Sequence, residues 1–193
     1  MPTDASPRIC AIDIETTGLR VPSVGLGSTD EILQLAIVAE DHSVVFNELF
    51  RPEHVTSWRD AEQCNGISFA SVQSKPLFSE QREVIQNLLG RYDLYVIYNA
   101  DFDLAFLKNQ GISLDRKNYF CMMQAFSRLM AKQRSGRSPA KNTRWYSLKQ
   151  CARYFNVPIL GKPHDATTDA MTVLMCYQAL IKQLDKSNTN ERL

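Results

Sequence analysis

The strongest constraint in this chain is a conflict inside its first apolar run. Ile9 to Ile14 (I-C-A-I-D-I) reads as a short strand buried on both faces, yet Asp13 lies within it and Glu15 directly follows. Side chains two apart on a strand point to the same side of the sheet. Two carboxylates held together in apolar surroundings lose hydration and repel each other unless something cationic satisfies them. A hard divalent cation such as Mg²⁺ or Mn²⁺ takes oxygen ligands of this kind. The competing reading is a solvated strand end, to which Thr16-Thr17-Gly18 lends weight.

Two further acidic motifs lie downstream. Asp101 and Asp103 follow an apolar run, Tyr92 to Tyr98, in N-A-D-F-D at the entrance of a helix. Asn99 or Asp101 suits the cap there, and Asp101 is read as a capping and dipole-compensating residue. Asp103, just inside the helix, is free to turn toward the end of the first strand. The third motif is H-D-A-T-T-D, His164 to Asp169, where Asp165 is the expected cap of a long helix. Asp169 shares a helical stripe with Val173, Cys176, Tyr177 and Leu180, so it is an acid that faces inward and needs a partner. His164 precedes the cap, on a segment free enough to present its ring to a water.

The 193 residues suit one domain. Strands are expected at Ile9–Ile14, Glu31–Glu40, His42–Phe50 and Tyr92–Tyr98, the second and third joined by a tight turn around Asp41 and therefore antiparallel. Helices are expected near Trp58–Gln63, at Ser79–Leu89 with Ser79 as cap and Gly90 as stop, and at Asp101–Asn109, Met122–Met130, Ser147–Tyr154 and Asp165–Leu184. Val21–Asp30 and the basic stretch Ala131–Arg144 read as loops, residues 1–7 and 185–193 as tails, and 8–184 as the folded domain. Early strands followed by interleaved helices, with one antiparallel pairing, describe an α/β chain with a mixed sheet.

Charge is segregated. From Arg116 to His164 there is no Asp or Glu, while eleven of the 22 Lys and Arg fall there; all 21 acids lie elsewhere. A positive face beside an acid cluster suits a polyanion, and the plainer reading is a solvated basic surface. Five cysteines without a C-x-x-C pair argue against a disulfide framework or zinc knuckle and for a reducing, cytoplasmic setting. No secretory signal and no membrane span is read in the sequence, so no membrane partner is expected.

The three motifs in order, A-I-D-I-E-T-T-G-L, Y-N-A-D-F-D-L-A-F-L and H-D-A-T-T-D-A, resemble those of the DEDDh 3′–5′ exonucleases of the DnaQ-like, RNase H-like superfamily. S-L-K-Q-C-A-R-Y-F is similar to a segment of the bacterial DNA polymerase III proofreading subunit, and C-N-G-I at Cys64–Ile67 stands where His-Gly-Ile is common, with Asn65 in place of the usual histidine. The resemblance covers about residues 8 to 182. It implies an RNase H-like mixed five-stranded sheet with one antiparallel strand, flanked by helices. It further implies that Asp13, Glu15, Asp103 and Asp169 bind two divalent metal ions, Mg²⁺ or Mn²⁺, one activating a water and the other stabilising the leaving 3′ oxygen. His164 would be the general base, which must be neutral to accept a proton and so favours neutral to alkaline pH. Thr16 and Leu19 would contact the terminal nucleotide, and Asn99 and Phe102 would line the site.

The substrate implied is nucleic acid with a free 3′ end, single-stranded DNA favoured and RNA an alternative, cut to nucleoside 5′-monophosphates. A polymerase-bound proofreading subunit and a homodimer are further alternatives within the family. Trp145 and Tyr146, inside the basic stretch, read either as stacking groups for unpaired bases or as ordinary packing at a helix start. A haloacid-dehalogenase-like phosphatase is disfavoured because Glu15 replaces the second aspartate of its D-x-D-x-T motif. A catalytically silent nucleic-acid-binding module is disfavoured by the complete acidic set.

Overall fold

The computed structural model describes residues 6–20, 30–114, 118–135 and 144–190. Five strands form one sheet in the order β3-β2-β1-β4-β5: β1 (Ile9–Thr16), β2 (Ile32–Ala39), β3 (Val44–Leu49), β4 (Leu94–Ile97) and β5 (Tyr119–Cys121). β2 runs antiparallel to both β1 and β3, while β1, β4 and β5 are mutually parallel. One strand is thus reversed in an otherwise parallel sheet, as the resemblance implies. The β2–β3 turn closes on Asp41, whose carboxylate accepts the Ser43 N–H and hydroxyl at 3.0 and 2.6 Å.

Among the described residues seven helices accompany the sheet: α1 (Arg59–Asn65), α2 (Phe69–Val72), α3 (Phe78–Leu89), α4 (Ala100–Asn109), α5 (Met122–Ser135), α6 (Leu148–Phe155) and α7 (Ala166–Asn190). Alternation along β1 divides the core. Cys10, Ile12 and Ile14 pack with Ile85 and Leu89 of α3 and Phe106 and Leu107 of α4. Ile9 and Ala11 face the other way, toward Ala166, Ala170, Val173 and Leu174 of α7 and Phe126 of α5. Ala11 and Ala36 on the sheet meet Ala166 and Ala170 on the helix, and these small side chains let α7 lie close against β1 and β2.

Local chemistry shifts several boundaries. β5 has only three residues, too short for a periodicity to announce it. α3 begins at Phe78 rather than after Ser79, because Glu80 reaches back to accept the Leu77 N–H at 3.0 Å and Leu77 takes the cap position. Ser147 does cap α6, reciprocally with Gln150. The expected loop over Ala131–Arg144 is helical through Ser135, since α5 continues there; 136–143 lie outside the described residues, as do 21–29 of the expected loop at Val21–Asp30. α7 likewise runs past Leu184 to Asn190, so the first residues of the expected tail 185–193 are helical. Among the described residues no helix is long and apolar enough to cross a membrane.

Candidate active site

Asp13 and Glu15 continue the side of β1 that carries Ile9 and Ala11, so both point beneath the N-terminal end of α7. That end is fixed by a buried polar joint. Gln34, 5% exposed and paired across the sheet with Glu15, donates to the Asp165 carboxylate at 3.1 Å and accepts the Ala166 N–H at 3.1 Å. Asp165 in turn caps α7, accepting the Thr168 N–H at 3.0 Å. With the helix start held there, Glu15, His164 and Asp169 bring one ligand atom each to within 4.8 Å of one another. His164 itself is exposed, with φ of 60°, and its N–H donates to Asp169 at 3.3 Å.

Asp103 arrives from the opposite side of the sheet. β4 pairs with β1 only as far as Ala11, which leaves the Ile14 N–H without a β4 partner, and the buried Asp103 carboxylate accepts it. Asp101, two residues earlier, is exposed and stays outside the cluster.

The cluster is short of positive charge. Burial pushes the Asp13 carboxyl well above the usual range, and Asp103, Asp169, Glu15 and Asp165 push it further in the same direction. Burial raises Asp103 to about 8 and Glu15 to about 7. Asp169 is raised mainly by burial, against the pull of His164. Oxygen donors that hold their protons this firmly, with several carboxylates around Asp13, suit hard divalent cations.

Asn65 and Lys162 temper Glu15. The Asn65 side chain bonds the Glu15 carboxylate and donates to the Thr16 carbonyl at 3.3 Å. Lys162, whose ammonium also favours ionised Glu15, donates to the Asn65 carbonyl at 3.0 Å. Gly66 makes this approach feasible: it caps α1 in the left-handed region at φ 79°, and a Cβ there would collide with the Lys162 ammonium.

The residues expected to touch a nucleotide are differently placed. The turn after β1 is tied by the Thr16 hydroxyl to the Gly18 carbonyl at 2.6 Å and by the Arg20 N–H to Asp30 at 2.8 Å, and it holds Leu19 out at 85% exposure. Thr16 is buried beside Glu15. Asn99 occupies the α4 cap without a side-chain capping bond, and Phe102 spends its ring on Phe106, 4.9 Å away. Gln34 and Lys162 went unrecognised in the sequence. A lone glutamine in the run E-I-L-Q-L-A-I-V was the available signal for the first; the second had none beyond its nearness to His164.

A cavity of about 660 Å³ lies at the other end of β1, lined by Ile9, Glu40, Tyr177 and Ile181, and takes no part in the acid cluster.

The fold is similar to that of cell-death related nuclease 4 (CRN-4), at 19% identity and TM-score 0.66 over 92% of this chain and 64% of the nuclease. E. coli exonuclease I in complex with a dT13 oligonucleotide matches at 15% identity and TM-score 0.71, over 96% of this chain and 43% of that one. A full-length 3′-exonuclease matches at 14% identity and TM-score 0.65, over 92% and 61%. This chain therefore spans less than two thirds of each of these proteins. No curated protein matches the sequence. The family model RNase_T, described as exonuclease, matches residues 10–177, from the second residue of β1 to the middle of α7, and the chain belongs to that family, within the DnaQ-like superfamily.

Proposed function

We propose that the chain is a divalent-metal-dependent 3′–5′ exonuclease that releases nucleoside 5′-monophosphates, with single-stranded DNA as the favoured substrate and RNA as the alternative. One observation carries the reading: Asp13, Glu15, Asp103 and Asp169, from β1, α4 and α7, form a single acid cluster whose members raise one another's proton affinity, with His164 at its exposed side. Two divalent cations held by those four carboxylates would supply activation of the attacking water and charge stabilisation at the departing 3′ oxygen. His164 accepts the proton of that water; its exposure leaves the ring accessible to solvent, and its nearness to Glu15 and Asp169 keeps it beside the cluster. Asn65 and Lys162 partly offset the burial that favours protonated Glu15. The Gln34–Asp165 joint keeps Asp169 and His164 against β1. Leu19, exposed in the turn that follows β1, offers an apolar surface to the terminal base.

The test uses 5′-labelled single-stranded DNA and a matching RNA, each with Mg²⁺, Mn²⁺ or EDTA, and His164→Ala beside the wild type. A metal-dependent ladder shortening from the 3′ end, lost in the variant, is the expected result, and it also ranks the two sugars. Intact strands under every metal condition would overturn the proposal in favour of a binding module.

A further inference from the structure

The basic stretch contains two adjacent aromatics, and the structure separates them. Tyr146 is committed to the fold: its ring stands edge-on to Phe126 at 5.3 Å, and its carbonyl accepts the Tyr98 hydroxyl at 2.7 Å. Trp145, the preceding residue, leaves its side chain in water at 58% exposure. Its backbone is nonetheless anchored on the C-terminal side. Tyr146 is held there; just beyond, Ser147 caps α6 in a reciprocal pair with Gln150. The Arg144 guanidinium lies over the Tyr146 ring at 5.4 Å. An indole on so constrained a segment is presented rather than merely left out.

Its position matches the candidate site. Tyr98 directly precedes Asn99 and the helix that carries Asp103, at the end of β4 that lies beside the acid-bearing end of parallel β1. The Tyr98–Tyr146 bond therefore sets Trp145 on the acid-bearing edge of the sheet, toward α5 and α6. Near it in sequence Arg144, Lys149 and Arg153 are exposed, and among the described residues none of the three is ion-paired. Cations without acidic partners attract a phosphate backbone, and a flat π-face between them accepts a base of any identity.

We infer that Trp145 is a stacking platform for an unpaired base of the substrate strand, and so a determinant of preference for single-stranded over duplex nucleic acid. This rests on the nuclease reading above. A base within a duplex already has both faces covered and offers none to the indole.

The chain has two tryptophans, and Trp58 is only 5% exposed, so the emission that a ligand can quench belongs to Trp145. Octathymidylate is titrated into the protein with Ca²⁺ in place of Mg²⁺, following tryptophan emission, while a fluorescein-labelled copy reports binding by anisotropy. Saturable quenching is expected in the wild type, with the same midpoint as the anisotropy change. Trp145→Phe should bind without that quenching, and Trp145→Ala should bind between about five-fold and about 150-fold more weakly with an unchanged melting temperature. A blunt duplex should leave the emission unmoved. Anisotropy that reports binding while the emission stays constant overturns the inference and leaves the nuclease reading standing. No binding by either signal, together with intact strands in the hydrolysis assay, overturns both.

Discussion

β1 and α4 each carry two acids separated by one residue, and the same spacing has opposite results. On β1 the two-residue period sends Asp13 and Glu15 to one side of the sheet, and both join the cluster. On α4 a step of two turns the direction by about 200°, so Asp103 is buried against β1 while Asp101 stands in water at the first turn. A D-x-D pattern therefore has no meaning until the period beneath it is known. The first pair is a shared site; the second is one site residue and one residue that complements the helix dipole.

Activity separates the members of these pairs most sharply. Asp13→Ala and Asp103→Ala should each lower hydrolysis by more than about 100-fold, beyond what loss of outer-shell partners costs, while Asp101→Ala stays within about two-fold. An equal loss at Asp101 in a labelled-strand assay would break the contrast.

Stability against pH comes next. Folding raises Glu15 to about 7 and Asp103 to about 8, so the native state keeps protons that the unfolded chain releases in the ordinary carboxylate range. The native state then binds more protons, and stability falls as pH rises. In EDTA the melting temperature should be highest near pH 5 and decline toward pH 8, and Mn²⁺ at pH 8 should restore it. A flat profile would mean that neither burial nor the neighbouring acids raise these carboxyls on folding.

Single amides sharpen the difference further. Asp103→Asn keeps an acceptor for the Ile14 N–H and removes a buried charge, so at pH 8 without metal it should gain at least about 1 kcal/mol, or some 2–4 °C for a chain of this size. Asp101→Asn should move the other way by about 0.3–1 kcal/mol, through weaker complementation of the α4 dipole. Calorimetry that gives both substitutions the same sign would erase the distinction between the two aspartates.

The sequence disclosed what depends on neighbours in sequence. Acids in an apolar strand, the Asp165 cap and the inward stripe of α7 were all readable because period and capping are local rules. β5 was expected only as a member of a five-stranded sheet, since Tyr119–Cys121 gains its strand character from pairing with β4. Ser79 looked like a cap because its hydroxyl suits one, yet Glu80 reaching back to Leu77 decided the start of α3. Gln34 and Asn65 were hardest to weigh. Each acts through a residue far away in sequence, Asp165 for one and Glu15 for the other, and a single chain gives no hint of such partners.

Among the described residues α7 is the last element in sequence and yet packs against β1, the first. Synthesis proceeds from the N-terminus at roughly 5–20 residues per second, so β1 to β5 leave the ribosome before His164 and Asp169 have been added. A half-made copy is a sheet whose Ala11 and Ala36 face is bare and whose acids lack their last member. The order of synthesis thus leaves the acid cluster incomplete until α7 is added to a sheet already made.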